Sequence, residues 1–176
     1  VYKRQLLDKT LDLAATDYDL KKQYDFKMMG IVKEYAVDLP PVPCEAEKIQ
    51  QVFLNLLRNA AQAMQMAGTQ DPTITLRIYH RKALDCVCVE IEDSGPGMDE
   101  KTRKRVFEPF FTTKPEGVGT GLGLSVSYFI ITENHRGKMS VESAPGEGTT
   151  FVLCLHLEIE NTGSTSARVE QNQLID

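Results

Sequence analysis

Residues 46–66, AEKIQQVFLNLLRNAAQAMQM, place Ile49, Val52, Phe53, Leu56, Leu57, Ala60, Ala63 and Met64 at helical spacing. Residues three and four apart share one face of a helix, so the pattern predicts a long amphipathic helix with that face in a core. DLPPVP precedes it, and paired prolines fit neither a helix interior nor a central strand. Gly68 and the Asp71–Pro72 pair stop it. The rest of the chain must supply the surface that covers this helix.

Alternating segments supply it. MMGIVKEYAV (28–37) reads as a strand, and TITLRIYH (73–80) and CVCVEIE (86–92) read as an antiparallel pair joined by RKALD. DEKTRKRVF (99–107) reads as a short polar helix, and LGLSVSYFIITENH (122–135) as a helix ending at Gly137. KMSVESAPGEGTTFVLCLHLE (138–158) reads as a hairpin turned on PGEG. EPFFTTKPEGVGTG (108–121) is a long loop, a kind that is usually functional or disordered.

One domain is expected over residues 24–158, with a weakly helical lead-in at 1–23 and a polar, mobile tail at 159–176 that has too few large apolar residues to pack. VYKRQ matches the translation of a transposon end used in preparing sequencing libraries, and it carries no weight in the fold reasoning.

The 176 residues are 41% hydrophobic, enough for one core, and the net charge of −5 argues against a broad basic surface for nucleic acid. No apolar run is long enough to span a bilayer, so a cytoplasmic domain without direct membrane contact is expected. Cys44, Cys86, Cys88 and Cys154 form no CxxC pair. Cys86 and Cys88 alternate on one face of a strand and are expected to be buried thiols rather than a metal or redox site, in keeping with a reducing compartment.

Three polar features interrupt these elements. Asn55 and Asn59 share one face of the long helix; they suit either the capping of nearby backbone groups or, through a neutral amide oxygen, a Mg²⁺ ion that already carries phosphate. Asp93 ends a strand just before Gly95 and Gly97; DSGPGM is either an ordinary turn or a carboxylate set to accept a hydrogen bond from an exocyclic amine. GVGTGLGLS (117–125) is not a Walker loop, because no Gly-Lys-Ser/Thr follows Gly123. Nor is it a dinucleotide fingerprint, because Leu124 stands where the third glycine belongs and no strand precedes it. What remains is a helix N-terminus with open backbone donors, which suits a polyphosphate.

Taken in order, Asn55/Asn59, DSGPGM, FEPFFTT and GTGLGLS resemble the ATP-binding domain of sensor histidine kinases, within the group that includes gyrase, Hsp90 and MutL. The resemblance covers roughly Leu6 to Leu157, and NAAQAM with FEPFFTTK is most similar to the nitrogen-regulator type. It implies an α+β fold, the two-layer α/β sandwich known as the Bergerat fold, with a mixed, mostly antiparallel sheet, three helices on one face and a mobile ATP lid. The implied cofactors are ATP and Mg²⁺.

By this resemblance Asp93 holds the adenine amino group, Gly95 and Gly97 shape the pocket, and Thr149 joins through water. Asn59 ligates Mg²⁺ and Asn55 is a neighbouring polar contact. On the lid, residues 107–120, Phe110 and Phe111 form a hydrophobic hinge, and Thr112 and Lys114 line the site with Lys114 reaching a phosphate. Gly119, Thr120, Gly121, Leu122 and Gly123 bring the chain to the phosphates.

Two departures from related patterns matter. Gyrase and MutL carry a water-activating Glu where this helix has Asn55, which cannot act as a general base, so transfer to a positioned acceptor is favoured over hydrolysis. Many histidine kinases have a Lys where Gln62 stands, which shifts phosphate contact onto Lys114. The family's acceptor histidine sits on a separate dimerisation domain and passes phosphate to a response regulator, in a protein expected to be a homodimer. His80, His135 and His156 lack its acidic helical setting and are expected to be structural or surface residues. An anti-sigma-type serine kinase, an ATP-driven clamp and a degenerate ATP-holding module are the alternatives.

Overall fold

The computed structural model describes residues 28–114 and 119–157, with Lys9 and Asp12 as isolated helical positions. The rest of the expected lead-in, the expected tail, and residues 115–118 of the expected lid lie outside the described residues.

Five strands, β1 (Gly30–Tyr35), β2 (Thr73–Arg81), β3 (Cys86–Asp93), β4 (Lys138–Ser143) and β5 (Thr149–His156), form one sheet in the order β1-β2-β3-β5-β4. β1 runs parallel to β2, and every other neighbour is antiparallel. The single parallel pair needs a crossover, and α1 (Ala46–Met66) provides it. Two shorter helices follow, α2 (Glu100–Arg105) and α3 (Gly123–Phe129). The sheet is thus mixed and mostly antiparallel, as the sequence implies.

The core lies between the helices and one face of the sheet. α1 buries Ile49, Val52, Phe53, Leu56, Leu57, Ala60 and Met64 against Ile74, Leu76 and Ile78 of β2, Val87, Val89 and Ile91 of β3, and Phe151, Leu153 and Leu155 of β5. Each large side chain removed from water in this way contributes about 1.5–3 kcal/mol. Ala61 and Gln62 are also buried, whereas Ala63 is only partly so. Phe107, just past α2, meets Tyr128 of α3 at 4.8 Å and Phe151 at 6.2 Å between ring centres, which seats that segment on the core.

The helix ends have local causes. Asp99 caps α2 by accepting from the Thr102 backbone N–H at 2.7 Å. α1 closes with Gly68 N–H donating to Gln65 O and Thr69 N–H to Met64 O, the six-to-one and five-to-two pair that needs a left-handed residue; Gly68 has φ +62°. The expected helix over 122–135 differs in its second half. Residues Ile130–Asn134 widen into a π-helix that buries both Ile130 and Ile131, and Gly137 N–H bonds back to Ile131 O at 2.8 Å before β4 begins.

The cysteines require a correction. Cys86 is a buried thiol, but Cys88 is bonded to Cys154. The reason is register: β3 and β5 set these two residues directly opposite, with Cα atoms 4.1 Å apart. The same outer face carries Arg77, whose guanidinium pairs with Glu34 at 2.7 Å and with Glu92. The Glu92 hydrogen bond, above all, holds the Arg77 pKa above its usual value.

Gly68 has open space around it, so a methyl there meets only backbone strain. Gly68→Ala should lower stability by about 1 kcal/mol in urea denaturation and leave nucleotide affinity alone. No loss at all would show that the left-handed closure of α1 carries no energetic weight.

Candidate functional site

β3 ends at Asp93 and β5 begins at Thr149, and the register places these two residues opposite each other. The Asp93 carboxyl is 5% exposed and accepts from the Gly95 N–H at 2.9 Å and from the Thr149 backbone. Burial pushes its pKa up to about 6, against the pull of these two backbone donors. The result is a buried carboxylate held by two backbone donors. Thr149 is itself buried, with its hydroxyl 3.0 Å from that of Ser143.

The loop after Asp93 is held from two sides. Gly97 packs on Ala144, and Pro96 O accepts from Gly146 N–H at 2.7 Å, so DSGPGM is fixed against the PGEG turn. Gly148 has φ +76°, and a Cβ there would fall 2.0 Å from Asp93 O. On the other side Ser94 donates to Met64 Sδ of α1 at 3.5 Å, and a Cβ on Gly95 would lie 3.4 Å from Met64 Cγ. The loop after Asp93 therefore abuts the C-terminal half of α1.

Asn59 and Gln62 stand on that same half. Lys114 Nζ donates to Asn59 Oδ1 at 3.2 Å and to Gln62 Oε1. Burial, with Arg58 nearby, lowers the pKa of Lys114. One cation thus rests on two neutral amide oxygens beside the pocket. Asn55, one turn earlier, is engaged differently: its Nδ2 donates to Ser127 Oγ at 2.9 Å and ties α1 to α3. A Cβ on Gly123 would fall 2.4 Å from Asn55 Oδ1, so the start of α3 lies directly on this amide.

The connection between α2 and α3 brings the other sequence-derived residues together. Phe110 is 75% exposed with φ +64°, and its N–H donates to Gly121 O at 2.9 Å. Phe111 lies under the Arg105 guanidinium at 4.4 Å. Thr112 Oγ1 accepts from Lys114 N–H at 3.1 Å, and Gly119 packs on both residues. Thr120 Oγ1 accepts from Leu122 N–H at 3.4 Å, and Leu122 is partly exposed at the entry to α3.

Sequence reasoning passed over Ser127 and Gly148. Ser127, 2% exposed, is a polar residue at a core position of an apolar helix, and that is the signal it offered. The histidines sit apart. His135 accepts the Glu45 N–H on Nε2 at 3.0 Å and so donates from Nδ1 to Ile130 O at 2.7 Å. His80 lies 3.9 Å from Asp85, and His156 is exposed at the end of β5.

Residues 44–159 match the family model described as histidine kinase-, DNA gyrase B- and HSP90-like ATPase. Sporulation kinase E of Bacillus subtilis is 40% identical over 153 residues, which are 86% of this chain and 19% of that protein. The sensory histidine kinase/phosphatase NtrB of Rhodobacter capsulatus is 41% identical over 138 residues, 72% of this chain and 37% of that protein. The chain thus spans well under half the length of these relatives. The solved catalytic domain of histidine kinase ThkA superposes with a TM-score of 0.70 at 27% identity, covering 88% of this chain and 93% of that one. With the mixed five-stranded sheet, these likenesses show that the chain belongs to the histidine kinase-, DNA gyrase B- and HSP90-like ATPase family, as an ATP-binding catalytic domain of the histidine-kinase kind.

Proposed function

We propose that this domain binds ATP along the C-terminal half of α1 and positions the γ-phosphoryl group for transfer to a histidine of a separate dimerisation and phosphoacceptor domain, for relay to a response regulator. The observation that carries the reading is the pairing, on one helix, of a buried carboxylate pocket beside Met64 with a cation on amide oxygens at Asn59 and Gln62. At 1.5 Å per residue these two features are about 7 Å apart along the axis, in keeping with a base at one end and phosphates at the other. In this reading Asp93 accepts from the amino group of adenine, at the ring position where guanine carries a carbonyl oxygen instead.

Lys114 and the backbone of Gly119, Thr120, Gly121, Leu122 and Gly123 face the phosphates, with residues 107–120 as the lid. The half-buried Asn59 carboxamide oxygen already carries a cation in Lys114, so its donor chemistry fits a hard divalent ion. Asn59 would hold Mg²⁺, and the ion would supply positive charge to offset that of the phosphates. What the chain's own groups supply is orientation and charge, which is most of what phosphoryl transfer asks of a protein.

Hydrolysis is disfavoured. Asn55 has no basic oxygen to activate water, and its amide is committed to Ser127. The acceptor is taken to lie outside these residues, because both nitrogens of His135 are engaged and His80 and His156 sit opposite Val87 and Cys86, at the far end of β3 from Asp93. The full protein is taken to be a homodimer that holds this domain in the cytoplasm, whether or not it is itself anchored to a membrane.

Four outcomes follow. Asp93→Asn should keep its fold by circular dichroism and weaken ATP at least tenfold in calorimetric titration, since about 1.4 kcal/mol of hydrogen bonding is at stake; equal affinity would remove the adenine assignment. The same variant carries a pH signature. Because the folded pKa of Asp93 is raised, the protonated form favours folding, and the parent should lose stability as pH rises from about 4 to about 6. Asp93→Asn should lack that component, as read from paired melting curves. Asn59→Ala should slow Mg²⁺-dependent transfer to a supplied acceptor domain far more than it weakens nucleotide binding, on the order of a hundredfold. The chain alone, given labelled ATP, should form no acid-labile phosphate, and label on His80, His135 or His156 would contradict the placement of the acceptor.

A further inference from the structure

On the face of the sheet opposite the helices, Cys86, Cys88 and Cys154 hold three sulfur atoms within 4.8 Å of one another. All three residues are buried, and Tyr79 and Val152 pack around them. Cys88 and Cys154 are joined across β3 and β5, while Cys86 keeps its thiol with Sγ 3.8 Å from that of Cys88. A cavity of about 460 Å³ opens beside the cluster, with Arg81, Cys86, Glu90, Lys138, Cys154 and His156 in its lining. Cys88 does not line it. A small molecule entering the cavity therefore reaches Cys154, with Cys88 behind.

We infer that Cys88 and Cys154 form a reversible thiol–disulfide site, closed by a small peroxide and reopened by a small thiol, both admitted through this cavity. In closure, the Cys154 thiolate attacks one oxygen of hydrogen peroxide and breaks the O–O bond; its sulfur becomes a sulfenic acid, and the departing hydroxide takes a proton to become water. The Cys88 thiolate then attacks that sulfur, the S–S bond forms, and the expelled hydroxide takes the second thiol proton as another water. Two thiols lose two electrons, and one peroxide becomes two waters. Reopening uses two molecules of a thiol of the glutathione class. The first attacks Cys154 and releases the Cys88 thiolate, and the second displaces Cys154 and leaves with the first as their disulfide.

The position of the bond gives it a consequence for the nucleotide domain. Cys88 precedes Asp93 on β3 and Cys154 follows Thr149 on β5, so the clip joins the two strands whose paired ends hold the pocket. The closed segment spans 66 positions in sequence and contains α2, α3 and the connection between them. Cross-linking a loop of that length removes much of the unfolded chain's freedom, so the oxidised form is the more stable one.

The test uses the chain after reduction and desalting. Treated with hydrogen peroxide and then denatured, it should show two thiols reactive with DTNB in place of the four in the sequence, and peptide mapping should find Cys88 bonded to Cys154. The melting temperature should rise by about 10 °C on oxidation. Glutathione should reverse both changes without denaturant. Cys86→Ser should respond as the parent does, and Cys154→Ala should lose the response, with circular dichroism reporting whether it folds. If Cys154→Ala does not fold, mapping of the oxidised parent still decides the matter. Four free thiols after peroxide, a bond between any other pair, or a bond that glutathione opens only in denatured protein would overturn the proposal.

Discussion

A carboxylate is costly to bury, and the Asp93 carboxyl is buried where two strand ends meet. It is held by two backbone N–H groups, from Gly95 and from Thr149, with no side-chain cation among its partners in the described residues. That arrangement depends on the β3–β5 register, because a slip of one residue would turn Thr149 away and bring the wrong face of β5 inward. It depends also on Gly148, since a side chain there would strike the Asp93 carbonyl. Much of the sheet serves to hold this pair in place. The raised pKa is the energetic trace of the same arrangement: a group kept short of partners is left able to take one from outside.

The helix α1 joins this pocket to the rest of the site. Its apolar face fixes it on the sheet, and its polar residues are distributed along one side by task. Asn55 locks α3 through Ser127, Asn59 and Gln62 hold Lys114, and Met64 closes on Ser94 and Gly95. Gly123 matters for a simple reason: no side chain fits between the first residue of α3 and the Asn55 amide. Gly119, Gly121 and Gly123 let chain approach chain here.

Local pattern carried the fold far. The limits of α1 follow from prolines on one side and Gly68 on the other, and the strands follow from alternation with turn residues between them. What the sequence could not disclose was pairing at long range. Nothing local says that Cys88 faces Cys154, since that depends on the register of two strands set 66 residues apart, and so free thiols were expected where a bond stands. The π-helix after Phe129 escaped notice because periodicity cannot separate a widened turn from a regular one over five residues. At the site, the motifs marked Asp93, Asn59 and Lys114 individually. That Lys114 reaches both Asn59 and Gln62 is a tertiary fact, and the single serine that secures Asn55 reads in sequence as an ordinary helix residue.

The central claim is that the Asp93 pocket reads the amino group of adenine. Amide spectra of the ¹⁵N-labelled domain, titrated in parallel with Mg·ATP and Mg·GTP, address it directly. The account predicts that the Gly95 and Thr149 amides shift with ATP and saturate, while GTP, which presents a carbonyl oxygen to the carboxylate, leaves them in place at the same concentration. Equal shifts with both nucleotides, or an ATP response confined to residues far from β3 and β5, would contradict it.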